Sequence, residues 1–491
     1  MDGRTYIGID LGTSGVKLLL MDDSRNVLAQ SSLEYEASHP QKGWAEIDPE
    51  IWYDRTLEGL RRLLSGQNPE RVSVIGVTGQ MHTLVLLDRD GGVLRPAMMW
   101  NDKRTAGMLP FLRSALAEGP DGEYLSGIVS TGSPAANMYW LSREEPENFR
   151  RLGHFLIGPD YLVYRLTGNI GTDFVEASTS SLYLIHRREW SPLMMELTGL
   201  SKEACPPVRG CGEIAGTVIP ELASALGLSE NVLVITGTGD NPATAFSTGC
   251  IGGGYPVLSL GTSGVLVFPA SEMGEAPKGK VILCSVDGKD FFYLVQGTVQ
   301  STGESISWWN RSILGIREYG TLDALIDDDM IRRSGVLFYP HINGDKTIYG
   351  DPSLRGAFIG LGSETDRAEM YFAVIEGLCF AFRQLSETVG LDLKGAESLR
   401  TVGGGSRSDV WMRILANVLD VKIERLGGTV GPARGIALLA WKTDHPEKQL
   451  KDLTEGLLRT EKTFTPEKEI VQILGERYKR YLRIHDAVKS I

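Results

Sequence analysis

The sequence of 491 residues is poor in cysteine, and its cysteines are not paired at metal-binding or redox spacing. No Cys-x-x-Cys occurs, and the five cysteines are scattered over Cys205, Cys211, Cys250, Cys284 and Cys379. A structural zinc site and a disulfide framework are therefore poorly supported. Buried free thiols in a reducing compartment are the expected state of these residues.

Long apolar runs and basic clusters are also lacking. No run of about eighteen apolar residues occurs, and the N-terminus enters a predicted strand, Tyr6–Asp10, without a basic leader. We therefore expect a cytoplasmic protein that has no membrane partner. The formal net charge is −12 and no dense Lys/Arg block is present, which argues against a nucleic-acid partner.

The chain has no G-x-x-x-x-G-K-[ST] loop, which is the common phosphate-binding motif of nucleotide-binding proteins. It has instead the hexapeptide Leu-Gly-Thr-Ser-Gly-Val, which starts at Leu11 and again at Leu260, an offset of 249 residues. In both places a predicted strand precedes the glycine-rich turn and a second strand follows it. An internal repeat at about half the chain length predicts two related domains.

The two copies of this turn differ at the residue that precedes them, which is Asp10 in the first and Ser259 in the second. Glycine-rich turns can present several backbone N–H groups to one anion, so two such turns suit a triphosphate. A single turn of this kind is more often only structural, and the repetition is what favours a nucleotide site. If both turns face one cleft, only the first brings a carboxylate to organise a metal ion.

A second candidate carboxylate, Asp240, follows the β-branched run Val232–Thr236 and precedes an alanine-rich helical segment. Ligands of α/β proteins bind at the carboxyl ends of strands, where a carboxylate can take a proton from a substrate hydroxyl. The same position also suits a helix N-cap. The local sequence supports these two interpretations about equally.

Three further segments follow predicted strands or, in the case of Trp100–Asp102, an apolar run. The histidine of Gly79–His82 suits either a sugar hydroxyl or a structural role. The segment Trp100–Asp102 with Arg104 suits a sugar site, although surface ion pairing is the commoner fate of such an Asp/Arg pair. The glycines of Gly403–Ser406, after the strand Leu399–Val402, would let a flat ligand approach the backbone, but alone they indicate only a loop.

Helical spacing is clearest in three segments. One is Pro49–Leu64, opened by Asp48, and another covers about residues 365–389. The third is the amphipathic stretch Glu467–Val488, which we expect to pack against the protein rather than to bind a partner. Strands that alternate with such helices predict an α/β fold.

As a whole the chain resembles the FGGY carbohydrate kinases, and among them the xylulokinases, from Tyr6 to about Ala440. The stretch Gly132–Glu144 fits one family signature except that Asn137 stands in place of a lysine. The stretch Gly356–Glu376 fits the other signature throughout. The likeness to xylulokinases in particular lies in the segments I-D-L-G-T-S-G-V-K, G-Q-M-H, W-N-D and G-D-N.

Some positions depart from the family pattern. Thr83 stands where glycine is common, Asn343–Lys346 where Gly-Glu-Arg is usual, and Asn417 where aspartate is usual. These departures leave the exact sugar more open than the chemistry.

The resemblance implies an α/β fold of two actin-like (ribonuclease H-like) domains with a cleft between them. It implies an N-terminal domain over residues 1–248, which carries the sugar site and the metal-organising carboxylate. A nucleotide-binding domain would follow over residues 249–443, and a helical tail over residues 444–491. The oligomeric state stays open, a homodimer included.

The resemblance also implies ATP and Mg²⁺ as cofactors and a small ketose as the partner. Asp240 would be the catalytic base, Asp10 would organise Mg²⁺ and belong to the catalytic pair, and Met81, His82 and Asn241 would help Asp240 to hold the ketose. The ATP site would be lined by Thr13, Ser14, Thr262, Ser263, Gly303, Gly404, Gly405 and Asp409.

The implied reaction is phosphorylation of the terminal hydroxyl of a ketopentose, D-xylulose to D-xylulose 5-phosphate. Two alternatives stay open. The first is a kinase for another ketose or polyol, such as L-xylulose or ribulose. The second is a regulatory actin-fold ATPase that phosphorylates no sugar.

Overall fold

The computed structural model describes residues 3–251, 254–270, 272, 279–316 and 322–489. The chain folds into two compact units, and each unit is made from three segments. The first unit lies within residues 1–249, 282–293 and 429–457, and the second within residues 250–281, 294–428 and 458–491. This division differs from the continuous domains expected from the sequence, because residues 282–293 and 429–457 fold with the first unit.

The first unit is built on a mixed sheet, whose strands lie in the order Ile214–Thr217, Leu233–Ile235, Val72–Gly79, Thr5–Leu11, Gly15–Asp22 and Val27–Glu34. The central strand Thr5–Leu11 pairs parallel to Val72–Gly79 and antiparallel to Gly15–Asp22. It is buried along its whole length, as expected for a strand that is covered on both faces. A short strand, Thr238–Gly239, pairs with the end of Val72–Gly79.

The helix Pro432–Asp444 packs on this sheet, against Thr5–Leu11 and Val72–Gly79, and also against the helix Asp240–Thr248. Glycines make the close approach possible. A Cβ atom added at Gly8 would overlap the carbonyl oxygen of Ala433, and one added at Gly435 would overlap the carbonyl oxygen of Ala243. The apolar face of this helix is therefore buried in the first unit, which is why residues 429–457 belong there.

We expect Gly435→Ala to lower the free energy of unfolding by about 3 kcal/mol, because the new methyl group overlaps backbone that cannot move cheaply. Gly475, in the helix Lys468–Tyr481, is a matched control, since a Cβ atom there meets nothing within 4 Å. Gly475→Ala should leave stability unchanged or raise it by about 0.5–1 kcal/mol. Denaturant unfolding of both variants checks this, and equal stabilities would contradict the close packing.

The second unit repeats the strand arrangement of the first. Val257–Leu260 pairs antiparallel to Gly264–Ala270 and parallel to Leu399–Val402. The sheet that contains these strands runs in the order Lys280–Ser285, Phe291–Val299, Gly264–Ala270, Val257–Leu260, Leu399–Val402, Ile423–Gly427 and Arg459–Phe464, and its residues 282–293 are the ones that group with the first unit. The repeated hexapeptide thus occupies the same hairpin of two sheets of the same design, and the prediction of two related α/β domains is confirmed.

The remaining elements complete the two units. The helices of the first unit are Pro49–Leu64, Leu109–Ala117, Gly122–Ile128, Pro134–Glu144, Pro146–Arg150, Gly158–Thr167, Phe174–Thr179, Pro192–Thr198, Pro220–Leu226, Asp240–Thr248 and Pro432–Asp444. Those of the second are Thr302–Ser307, the π-helical Trp308–Ile313, Asp328–Arg333, Arg367–Thr388, Asp409–Leu419, Lys468–Tyr481 and Ile484–Val488. The small sheets comprise Glu46–Ile47, Ala97–Met98, Leu84–Asp88 and Leu152–Ile157, then Thr172–Asp173 with Val208–Arg209, Tyr183–Leu184 with Glu189–Trp190, and Leu337–Tyr339 with Ala357–Ile359.

Several predictions of local structure are confirmed. The helix Pro49–Leu64 has the predicted bounds, and the Asp48 carboxylate caps it by accepting the backbone N–H of Glu50 at 3.0 Å. The amphipathic tail forms two helices that bury Ile470, Leu474, Tyr478, Tyr481 and Ile484, so it is a packing element. All five cysteines, which lie within the described residues, are thiols rather than disulfides, and all but Cys205 are buried.

Candidate active site

The carboxylate of Asp10 lies where the central strand of the first unit gives way to the turn Gly12–Gly15. Its side chain is almost enclosed, since Asp10 is only 6% exposed. Burial, followed by repulsion from the carboxylate of Asp240, raises the pKa of Asp10 to about 7, while the charge of Lys17 lowers it in part. Asp10 and Asp240 therefore lie close enough for their charges to interact.

Asp240 is the first residue of the helix Asp240–Thr248, directly after the short strand Thr238–Gly239. Gly239 occupies the N-cap position, so Asp240 lies in the first turn and not at the cap that the sequence also allowed. Its Oδ1 atom accepts the backbone N–H of Asn241 at 2.8 Å. A helix N-terminus favours the ionised form of a carboxylate in its first turn.

The pair Asp10 and Asp240 fits a Mg²⁺ ion. Magnesium prefers carboxylate oxygens and usually keeps several waters, so one or two carboxylates with substrate phosphates are enough. A cation beside two repelling carboxylates would also offset the burial that raises the pKa of Asp10. Among the residues that the structure describes, no group of three or more His, Cys, Asp and Glu side chains could hold a metal ion.

Met81 and Asn241 are brought together beside Asp240. The Nδ2 atom of Asn241 lies 3.9 Å from the sulfur of Met81. A Cβ atom added at Gly239 would lie 2.5 Å from Cγ of Met81, so the glycine lets this side chain pack directly on the backbone that precedes Asp240. The structure therefore places two of the predicted ketose contacts next to the predicted base.

His82 follows Met81 in a turn and has a left-handed backbone, with φ of 71°. This conformation is uncommon for residues other than glycine, and it often marks a functional site. His82 is half-buried. The sequence alone predicted its position after a strand but not this strained conformation.

On the ketose-binding role that the resemblance implies, we expect His82→Asn to raise the KM for the ketose about tenfold, because the shorter asparagine cannot reach a hydroxyl that the outer ring nitrogen Nε2 would bind. Asparagine tolerates the left-handed conformation, so the fold should persist. The KM for ATP should change little. Both constants and the melting temperature should be measured on one preparation, and a destabilised enzyme with the parental ketose KM would show a structural histidine instead.

Trp100 connects the first glycine turn to the rest of the site. Its indole Nε1–H donates to Oγ1 of Thr13 at 3.1 Å, and its ring is 41% exposed. Thr13 and Ser14 are exposed at the tip of this turn. The hydroxyl of Tyr35 donates to the carbonyl oxygen of Gly12, and the backbone N–H of Tyr35 donates to Ser14 at 3.1 Å.

Asp102 and Arg104, which follow Trp100, are not a surface pair. Arg104 donates to Oδ2 of Asp102 at 2.8 Å and to Glu46 at 2.6 Å, and the side chains of Asp102 and Arg104 are at most 1% exposed. The guanidinium also lies 3.6 Å from the ring centroid of Trp44. The prediction of surface pairing is wrong, because the guanidinium is enclosed by two acids and an aromatic ring. A buried ion pair of this kind acts structurally, in holding the segment after Trp100.

In the second unit the corresponding turn is Gly261–Gly264, which carries Thr262 and Ser263. Gly303 packs against it, since the Gly303 N–H donates to the Gly261 carbonyl at 3.0 Å and an added Cβ atom would overlap that carbonyl. Gly403 has φ of 92° and lies against the carbonyl of Leu260, which precedes the turn. Around Gly404 a Cβ atom would meet nothing within 4 Å.

Gly405 has less space than Gly404, because an added Cβ atom would lie 2.7 Å from the ring of Trp411. The predicted nucleotide residues Thr262, Ser263, Gly303, Gly404 and Gly405 thus gather at one end of the second sheet. Gly404 leaves backbone accessible where a nucleoside and its phosphates would need it, while Gly303 and Gly405 allow close packing around the turn. The arrangement fits ATP.

Asp409, the remaining predicted ATP residue, begins the helix Asp409–Leu419. Its carboxylate accepts from Nζ of Lys462 at 2.6 Å and from Arg425 at 2.8 Å. These two cations hold the pKa of Asp409 below its usual value. The side chain is therefore engaged within the second unit, and a role in the ATP site stays a prediction.

Sequence reasoning missed Glu176 and Tyr35. Glu176, in the helix Phe174–Thr179, is fully buried, and its Oε1 atom lies 3.0 Å from a Cβ atom added at Gly239. It therefore lies directly behind the backbone that leads into Asp240. No motif marks either residue, because both reach the site from elements distant in sequence.

Two family models match the chain. That of the FGGY family of carbohydrate kinases, N-terminal domain, matches residues 5–247, and that of the C-terminal domain matches residues 257–443. The xylulose kinase of Bacillus subtilis (strain 168) is 32% identical to this chain, over 99% of the chain and 98% of its own length. The xylulose kinase of Escherichia coli (strain K12) is 33% identical, over 92% of the chain and 93% of its own length.

A solved structure gives the same result. The crystal structure of a xyloylose kinase from Brucella ovis matches with a TM-score of 0.90 at 31% identity, and the match covers 99% of this chain and 100% of that one. This likeness confirms the predicted actin-like α/β fold class. Among the segments that the structure describes, none of the helices has the length and apolar character needed to span a bilayer. The chain belongs to the FGGY family of carbohydrate kinases and is an ATP-dependent sugar kinase.

Proposed function

We propose that this kinase phosphorylates the terminal hydroxyl of a ketopentose, and that D-xylulose is its substrate. The observation that carries the proposal is that Asp240 follows a strand that, like the strand of Asp10, pairs with Val72–Gly79, and that it lies close to Asp10 and next to Met81 and Asn241. A base, a metal-organising carboxylate and two candidate sugar contacts are thereby gathered in one unit. The relatives named xylulose kinase support the choice of sugar.

In this mechanism Asp240 accepts the proton of the terminal sugar hydroxyl while the oxygen of that hydroxyl attacks the γ-phosphorus of ATP. The bond from that phosphorus to the oxygen of ADP breaks, and the phosphoryl group is transferred to the sugar. Asp10 would hold Mg²⁺, which when bound neutralises charge on the phosphates. Met81, His82 and Asn241 would orient the ketose, so that positioning supplies much of the rate.

Each glycine turn would offer its own backbone N–H groups to phosphate. Thr13 and Ser14 are exposed on the first turn, and Thr262 is exposed on the second. We assign the nucleoside to the side of the second unit that holds Gly303, Gly404 and Gly405, because Gly404 is exposed there and a Cβ atom added at it would meet nothing within 4 Å.

The test is ADP release by the purified protein with MgATP and a panel of acceptors. The panel contains D-xylulose, L-xylulose, D-ribulose, L-ribulose and glycerol. We expect D-xylulose to give the highest kcat/KM, with phosphate on the terminal oxygen of the product. A higher kcat/KM for another acceptor would overturn the assignment of the sugar, and ADP release that no acceptor stimulates would favour a regulatory ATPase.

A further inference from the structure

A closed set of hydrogen bonds joins three loops of the first unit, and its common member is Thr83. The Thr83 hydroxyl donates to Oε1 of Gln80 at 3.1 Å and accepts the backbone N–H of Trp100 at 3.2 Å. Nε2 of Gln80 donates to the carbonyl oxygen of Gly12 at 3.3 Å, and the indole N–H of Trp100 donates to Thr13 at 3.1 Å. We call these bonds, through Gly12, Thr13, Gln80, Thr83 and Trp100, the Thr83 ring.

The direction of each bond around Thr83 is determined by chemistry. The Gly12 carbonyl can only accept, so the amide nitrogen of Gln80 must face it and the amide oxygen must face Thr83. The Trp100 backbone N–H can only donate, so the Thr83 oxygen must accept it and direct its own hydrogen to Gln80. A hydroxyl fulfils both roles, whereas the methyl group of a valine of similar shape fulfils neither.

Thr83 is fully buried, and Gln80 is also buried. Buried hydrogen bonds of this kind hold their partners in one arrangement, because each broken bond leaves a polar group without water. The residues between Gln80 and Thr83 are Met81 and His82, which the proposed function assigns to the ketose. The ring therefore encloses the ketose-side turn and ties it to the turn that carries Thr13.

We propose that Thr83 is a positioning residue for the transfer reaction, which acts by holding the turn Gly79–His82 and Trp100 in fixed register with the turn Gly12–Gly15. It touches neither substrate, and its effect is on the alignment of the acceptor hydroxyl. The inference deepens the proposed function and rests on it for the place of the sugar. The Gly12–Gly15 turn has its own bonds, such as Gly12 N–H to Gly15 O at 2.9 Å, so it keeps its shape without Thr83.

The test compares Thr83→Val, which removes both bonds at nearly constant volume, with Thr83→Ser, which keeps the hydroxyl. For Thr83→Val we expect the KM of the preferred sugar to rise about tenfold and kcat to fall about tenfold, with the KM for ATP within about twofold of the parent. Thr83→Ser should restore both sugar constants to within about threefold. A positioning role predicts that the sugar KM and kcat change while the KM for ATP does not, and that serine at this position restores both sugar constants.

A matched control is Thr198→Val, because Thr198 is also buried but its hydroxyl bonds to Met194 O at 2.7 Å within its own helix. It should change the melting temperature without changing either KM. If Thr83→Val behaves like this control, with parental sugar kinetics at a lowered melting temperature, Thr83 is only a core residue and the inference is wrong.

Hydrogen–deuterium exchange of the substrate-free protein tests the ring independently of the sugar. Amides in peptides that cover residues 98–104 should exchange at least about tenfold faster in Thr83→Val than in the parent, and Thr83→Ser and Thr198→Val should match the parent. Unchanged exchange in Thr83→Val would contradict the proposal that the Thr83 ring holds the segment around Trp100. A parent that prefers another acceptor would overturn only the proposed sugar, and the kinetic comparison is then made with that acceptor.

Discussion

Asp240→Asn should remove sugar phosphorylation almost completely, with kcat lowered by about 10²–10⁴-fold, because a general base typically contributes that much. Asn keeps the size of the side chain but cannot take the proton of the hydroxyl. The KM for the ketose should change less than kcat, since Met81 and Asn241 are still in place. Product formation measured at saturating MgATP and ketose checks the prediction.

A matched control for this variant is Asp48→Asn. Asp48 also lies at the start of a helix, where it caps Pro49–Leu64, and asparagine is an equally good N-cap. This control should keep parental activity and stability. An Asp240→Asn protein that is folded, as judged by its melting temperature, and retains a kcat within about threefold of the parent would remove Asp240 from the role of base.

Asp10→Asn should lower turnover by about 100-fold or more and raise the Mg²⁺ concentration needed for half-maximal rate. The reason is that the proposed metal would lose a buried carboxylate, and preorganised charge of this kind is worth about 10²–10³-fold. Mg²⁺ titrations of the rate, at saturating ATP and ketose, check both effects. An unchanged rate and metal dependence would contradict the role.

The stability of the same variant should depend on pH differently from the stability of the parent. Burial and Asp240 raise the pKa of Asp10 to about 7, so the folded protein holds this proton up to higher pH than the unfolded chain does. The free energy of unfolding of the metal-free parent therefore decreases as pH rises from about 4 through 7. Asp10→Asn has no carboxyl group to titrate here, so it should not show this decrease and should be at least as stable as the parent at pH 8. Thermal unfolding with a chelator present measures this.

Local sequence signals predicted those parts of the fold that depend on neighbours along the chain. The helix Pro49–Leu64 has the predicted bounds because Asp48 supplies its cap and apolar residues recur at helical spacing. The strand Leu399–Val402 also has its predicted bounds. Asp240 lies in a first helical turn after a strand, as its motif predicted. The resemblance to a family supplied its role, which the local pattern alone could not.

Contacts between distant segments could not be predicted in this way. The helix Pro432–Asp444 follows most of the second unit in sequence. Its membership of the first unit becomes visible only in its packing, for example on Gly8. Tyr35 and Thr83 have no sequence signal that names their partners, since the hydrogen bonds of Tyr35 to Gly12 and of Thr83 to Trp100 exist only after the loops meet. Arg104 is similar, because a sequence does not show that its charge will be enclosed.

The helix Pro432–Asp444 also determines when the first unit can become stable during synthesis on the ribosome. The strands Thr5–Leu11 and Val72–Gly79 emerge early, but the helix that covers their apolar face is made roughly 350 residues later. At about 5–20 residues per second this interval is roughly 20–70 s. Throughout it the face is available to chaperones and to aggregation. A chain that terminates before residue 432 never closes this face, so late truncations should be removed by proteolysis rather than accumulate as a folded N-terminal fragment.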